Sequence, residues 1–219
     1  MAEKERPAGT GRLFTGLAWA LLLLGLWLWG KDITDAPGVQ GGPATGGAAA
    51  VGALGVPLPP ARDPLEPVAP RRVEVPSLGI TAPVVPRGLD GTGAIDPPPY
   101  GQPHTVGWFA TGTKPGAYGA ALLVGHVDTE TRPAVFYGLS SARPGERVLV
   151  TRTDGSVAEF TIDDVQVFAR HEFDPHQVYG PRRPGRAELR LITCGGTFDR
   201  ATDAYTANVV VSAYLTGAR

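Results

Sequence analysis

The first pattern along the chain is an uncharged apolar run over 13–30, LFTGLAWALLLLGLWLWG. As a helix it spans about 27 Å at ~1.5 Å per residue, close to the ~30 Å hydrocarbon thickness of a bilayer. Lys4, Arg6 and Arg12 precede it, Lys31 follows, and Trp27 and Trp29 fall where an interfacial aromatic belt would lie. A cleaved signal peptide carries a shorter apolar region that ends in a small-x-small site. This run ends in Trp-Leu-Trp-Gly-Lys. It therefore predicts a membrane anchor over 13–30, with residues 1–12 cytoplasmic and the remainder of the chain extracellular.

The pattern then lapses. Over 31–70 Gly, Pro and Ala dominate and no aromatic residue occurs. Such a stretch buries too little apolar surface to offset its ordering entropy, which predicts a disordered tether. An apolar patch over 48–58 is broken by Gly52, Gly55 and Pro57, so it predicts no second span. From about Arg71 short β-branched runs alternate with Gly/Pro punctuation, the signature of an all-β domain over 71–219. Strands are predicted over 72–76, 82–85, 105–110, 120–125, 147–152, 157–168, 188–194 and 208–215. Asp154-Gly155 marks a tight hairpin between two of them. The polar, Pro/Gly-rich connection over 171–187 leaves room for one helical turn, and connections of that length often carry recognition.

Composition narrows the function. Twenty basic against 21 acidic side chains give a formal net charge of −1 over 219 residues, which argues against a nucleic-acid binder. The single cysteine, Cys194, excludes a disulfide framework and a multi-thiolate zinc site.

Cys194 closes the apolar run Leu189-Arg190-Leu191-Ile192-Thr193, and Gly195-Gly196 follows. A thiol at a strand end, with two glycines that allow a substrate backbone to approach, suits a nucleophile. The alternative is an inert core cysteine, but an unpaired thiol outside the cell is exposed to oxidation, which favours a functional role. A nucleophilic thiol needs a proton-transfer partner. Of the four histidines, His171 and His176 fall in the long polar connection and His104 in a turn-rich stretch. His126 stands just past the apolar strand Ala121-Leu122-Leu123-Val124, where a rigid scaffold presents reactive groups. His126 and Asp128 alone supply too few ligands for a metal. Arg200, six positions after the cysteine, is the candidate donor for an oxyanion.

A histidine after one strand, a cysteine at the end of a later one and an arginine beyond it resemble the order in sortases, the cysteine transpeptidases of Gram-positive cell surfaces. Leu191-Ile192-Thr193-Cys194 is similar to their Leu-x-Thr-Cys strand end. The strings Val106-Gly107-Trp108-Phe109, Leu123-Val124-Gly125-His126-Val127-Asp128-Thr129 and Thr193-Cys194-Gly195-Gly196-Thr197-Phe198-Asp199 most resemble classes E and F, and F above E. The resemblance covers about 72–215. It implies an eight-stranded β-barrel with short helices and no cofactor or metal. It also implies acyl transfer from a sorting signal similar to Leu-Pro-x-Thr-Gly, carried by surface proteins, to an amine acceptor of the cell wall. In that reading Cys194 forms a thioacyl intermediate, His126 is the general acid and base, and Thr193 helps position the substrate. One departure stands out: where sortases commonly carry an arginine before the last strand's apolar run, this chain has Asn208 before Val209-Val210-Val211. Arg200 is then expected to supply the guanidinium, with Asn208 as the neutral alternative.

Two enzymatic rivals fit less well. An L,D-transpeptidase carries a histidine just before its cysteine, where this chain has Ile192-Thr193, and a papain-like protease has the cysteine before the histidine. From a different class, a catalytically silent β-barrel used in adhesion or assembly would need neither side chain.

Overall fold

The computed structural model describes residues 57–219, apart from Thr92. The anchor expected over 13–30 and most of the tether expected over 31–70 lie outside the described residues. Among the described residues no helix is long and apolar enough to cross a membrane.

Among the described residues eight strands form: β1 (Pro70–Val75), β2 (Ile80–Arg87), β3 (Val106–Phe109), β4 (Gly119–Val124), β5 (Arg147–Arg152), β6 (Val157–Ala169), β7 (Ala187–Asp199) and β8 (Ala204–Ala218). They close into a mixed barrel in the order β1-β2-β3-β4-β7-β8-β6-β5. Two neighbouring pairs are parallel, β2 with β3 and β4 with β7, and the rest are antiparallel. The Asp154-Gly155 turn joins β5 to β6, with Gly155 at φ 87°. The β6–β7 connection holds a 3-10 turn, Arg170–Glu172, and one short helix, α1 (Pro175–Tyr179).

Alternation along each strand sorts the apolar residues into two clusters. Leu189 and Leu191 of β7 join Val209, Val211 and Leu215 of β8 and Leu123 of β4 in the barrel interior. The intervening residues Leu122, Val124, Ile192 and Val210 face outward, and Ile95 and Val178 of α1 pack over them. Phe168, Phe173 and Tyr179 border that outer cluster. The barrel therefore has one sealed interior and one outer face covered by the β6–β7 connection.

Two boundaries differ most from those the sequence suggests. The strand carrying Cys194 does not end there: β7 continues to Asp199 across an irregularity between Gly195 and Phe198. The two glycines serve that path. A Cβ on Gly195 would stand 2.7 Å from Val209 Cγ2, and one on Gly196, at φ +77°, would stand 2.5 Å from Thr206 Oγ1. They are small because β8 comes close, whatever else approaches them. The second difference is at the start. Residues 57–69, expected as the end of a free tether, lie along the barrel. Leu58 is buried, the amides of Arg62 and Leu65 donate to Leu215 O and Gly116 O, and the Tyr214 hydroxyl donates to Pro59 O. A Pro-rich segment has few amide donors to satisfy, and the barrel accepts two of those this one has.

Candidate active site

The parallel pairing of β4 with β7 sets the site. Val124 pairs with Ile192, and the Gly125 amide donates to Ile192 O at 3.1 Å, so the two chains remain side by side one residue further. His126 and Cys194 each lie two residues beyond the Val124–Ile192 pair. Adjacent strands run ~4.8 Å apart. Alternation puts Cys194 on the outward side with Ile192, and Tyr100, whose ring stacks on His126, feels the charge of Cys194. Two residues 68 positions apart in sequence, one just past the end of β4 and one on β7, are thus brought to the same end of two neighbouring strands.

Each is held differently. His126 is buried, at 9% exposure. Its carbonyl accepts from the Phe136 amide at 3.0 Å. The preceding Gly125 has no room for a side chain, because a Cβ there would stand 2.7 Å from both Val135 and Phe136. The imidazole Nε2 lies 2.6 Å from Pro98 O, and the Tyr100 ring stacks on it with centroids 4.3 Å apart and planes 22° apart. Cys194 is open to solvent. Its surroundings still desolvate the thiolate and push the thiol pKa above its ordinary value. The Arg170 charge opposes that rise and the Asp128 charge adds to it. Asp128 accepts a hydrogen bond from the Tyr205 hydroxyl, which pushes the Tyr205 phenol up to about 12.

The other expected residues are distributed as follows. Asn208 pairs directly with Cys194 across β7 and β8, and Phe168 of β6 pairs with Asn208, so the three form a row. Thr193 has the opposite parity: it pairs with Val209 of the interior cluster, is 4% exposed, and its hydroxyl has no hydrogen-bond partner. The side chain of Thr193 is thus on the barrel side of β7, away from the face that carries Cys194. Arg200 is exposed in the turn between β7 and β8, beyond the last paired residues Asp199 and Ala204. Arg170, which the sequence did not single out, follows Ala169 at the end of β6. Ala169 pairs with Ala207, and Ala207 with Gly195, which brings the start of the β6–β7 connection to the cysteine's end of β7.

That connection is fixed from beneath by the same outward row of β7. Arg190, 1% exposed, donates from Nε to Val178 O at 3.2 Å and from Nη2 to Gly180 O at 3.0 Å and to Glu188 at 2.6 Å. The Glu188 carboxylate accepts from the amides of Arg182 and Arg183, both at 2.9 Å. Nothing in the spacing of Glu188 and Arg190 distinguishes such a clasp from a solvated pair; only the fold buries it.

A solvent-open thiol and a buried imidazole at the same end of two neighbouring strands form a constellation suited to acyl transfer. Comparisons with known proteins agree with that class. The model of the sortase domain matches residues 73–216, and the chain belongs to the sortase family. Among solved structures it is similar to sortase C-1 from Actinomyces oris (20% identity, TM-score 0.50, 70% of this chain and 76% of that one). It is also similar to a lid mutant of sortase A from Corynebacterium diphtheriae (17%, 0.50, 72% and 73%). Sortase A from Listeria monocytogenes matches at 17% identity and TM-score 0.50, over 70% of this chain and 90% of that one. At these identities the likeness is one of fold. No curated protein matches the chain by sequence.

Proposed function

We propose that the chain is a membrane-anchored cysteine transpeptidase of the cell surface. In this reading the Cys194 thiolate attacks the threonyl carbonyl of an LPxTG-like sorting signal, and the resulting thioacyl enzyme passes the protein to an amine of the cell wall. The observation that supports this most is the β4–β7 register, with His126 and Cys194 two residues past a paired position. Sulfur–carbon bond formation pushes the carbonyl electrons onto oxygen. Their return expels the glycyl amine, which takes a proton from His126. The incoming amine reverses these steps and gives its proton back to the imidazole. The anchor over 13–30 would hold the barrel at the membrane, where surface proteins and wall precursors meet it. Assignment to class F rests on the strings around Trp108, His126 and Cys194.

The tetrahedral oxyanion needs a donor. Arg200 is the residue the sequence offers, and Asn208 stands beside Cys194 as a neutral one. The opposing charge that acts on the thiol is Arg170's, which favours Arg170. Removing one such donor lowers turnover by ~10²–10³. Single-turnover rates of Arg170→Ala, Arg200→Ala and Asn208→Ala separate the three: the donor is the one whose loss has that effect.

The reaction itself is tested with the full-length chain in detergent, a library of sorting-signal peptides and an amine acceptor, the junctions being read by mass spectrometry. Cleavage after threonine and an amine-dependent transfer product are expected, and neither from Cys194→Ala. A wild-type protein that cleaves no peptide while its thiol reacts freely would be a silent barrel.

A further inference from the structure

The imidazole of His126 has two nitrogens, and the structure has already committed one of them. Nε2 faces Pro98 O at 2.6 Å, within the buried part of the site. A carbonyl oxygen accepts and cannot donate, so this contact is a hydrogen bond only when Nε2 carries the proton. The lone pair of the neutral ring then resides on Nδ1.

The segment that does this is stiff and tied down. Pro97, Pro98 and Pro99 fix three consecutive φ angles, so the Pro98 carbonyl has little freedom to turn away. Immediately before them, Asp96 forms an ion pair with Arg87 at the end of β2, the Arg87 Nε donates to Asp96 O at 3.2 Å, and the Asp96 amide donates to Gly88 O at 3.0 Å. After them, the Gln102 amide donates to Pro99 O at 2.8 Å. Pro98 itself is buried, whereas Tyr100 is 68% exposed and spends one ring face on the imidazole. An exposed aromatic that stacks on a buried imidazole leaves little else to explain its place.

Resting on the transpeptidase reading of His126 and Cys194, we infer that the 97–100 segment is the positioning element of the acid–base group. Pro98 O holds His126 as the Nε2–H tautomer, Tyr100 fixes the ring plane, and Nδ1 is the atom that exchanges the proton. The Cys194 Sγ–H gives its proton to Nδ1, and the ring becomes an imidazolium whose Nε2–H remains on Pro98 O. As the sulfur–carbon bond forms and the carbon–nitrogen bond breaks, Nδ1–H protonates the leaving amine. The neutral tautomer is then restored with Nε2–H still in place. The backbone carbonyl thus has the part that a carboxylate or amide side chain has in other nucleophile–base pairs, orienting the base from behind. Tyr100 acts through His126 and is a positioning residue.

The chain's four histidines make the test direct. In full-length protein labelled with ¹⁵N-histidine in detergent micelles, the His126 signals are those lost in His126→Gln. A pyrrole-type Nε2 and a pyridine-type Nδ1 in the neutral ring are expected. A pyridine-type Nε2, or an averaged pair of tautomers, overturns the inference. Tyr100→Ala is expected to average the two nitrogens and to lower kcat/KM by about 10–100-fold, the usual loss when an orienting partner is removed. Tyr100→Phe, which keeps the ring, restores both. Loss of activity in Tyr100→Ala with an unchanged tautomer and no rescue by phenylalanine overturns the role of the stack. The nitrogen shifts need no substrate, so the two readings fail separately. A wild type with the expected tautomer but no turnover refutes the transpeptidase, whereas turnover with the opposite tautomer refutes only the Pro98 assignment.

Discussion

At the scale of single residues, Cys194 sits between opposing influences. Burial around the sulfur favours the neutral thiol, Asp128 adds to that, and Arg170 works against it. Because the thiolate is the reactive form, its population and the alkylation rate rise as pH climbs through the raised thiol pKa. Removing the cation destabilises the thiolate, so Arg170→Ala moves the midpoint of the alkylation profile upward. Asp128→Asn removes a like charge and moves it downward. Both shifts are read from iodoacetamide rates between neutral and alkaline pH. An unmoved midpoint in Arg170→Ala places the guanidinium too far from the sulfur to serve its oxyanion.

Among the elements, β7 carries the most constraint. Its outward row is Glu188, Arg190, Ile192 and Cys194, so one strand face clasps the β6–β7 connection, floors it and presents the thiol. Arg190→Ala leaves Glu188 buried without its counter-charge and strips two carbonyls of the connection of their donor. A loss of about 3–5 kcal/mol in denaturant unfolding is expected. Gly196→Ala forces a side chain into a left-handed backbone position against Thr206, at a cost of about 1–3 kcal/mol in the same measurement. All eight strands were legible in the sequence because each centres on a short apolar or β-branched run set off by Gly/Pro-rich or polar stretches. The end of β7 was not, because Gly195-Gly196 reads equally as a turn or as a bulge until β8 is seen to crowd it. The places of His126 and Cys194 after apolar runs were legible. Tyr100, Pro98 and Arg170 were not, since a stiff proline run and a loop arginine carry no mark of where the fold delivers them. Nor could the sequence give the face of Thr193, a matter of strand parity that one bulge can invert.

Over the whole molecule, the arrangement depends on barrel closure. His126 and Cys194 belong to strands separated by β5 and β6 in sequence, and become neighbours only because β7 crosses back to lie parallel to β4. The 57–69 strap adds a belt along the barrel, with the Tyr214 hydroxyl on Pro59 O and Arg152 Nη1 on Glu66 O at 2.9 Å. The chain therefore meets the barrel before the first strand begins. The proposed reaction requires a cysteine acylated with the help of the histidine just past the neighbouring strand. Intact-mass spectrometry of the full-length protein, quenched within a single turnover of a cleavable sorting-signal peptide, measures that step. A thioacyl adduct on Cys194 is expected in the wild type, forming ~10²–10⁴-fold more slowly in His126→Gln. An adduct that forms at the same rate without His126, or on a residue other than Cys194, contradicts it.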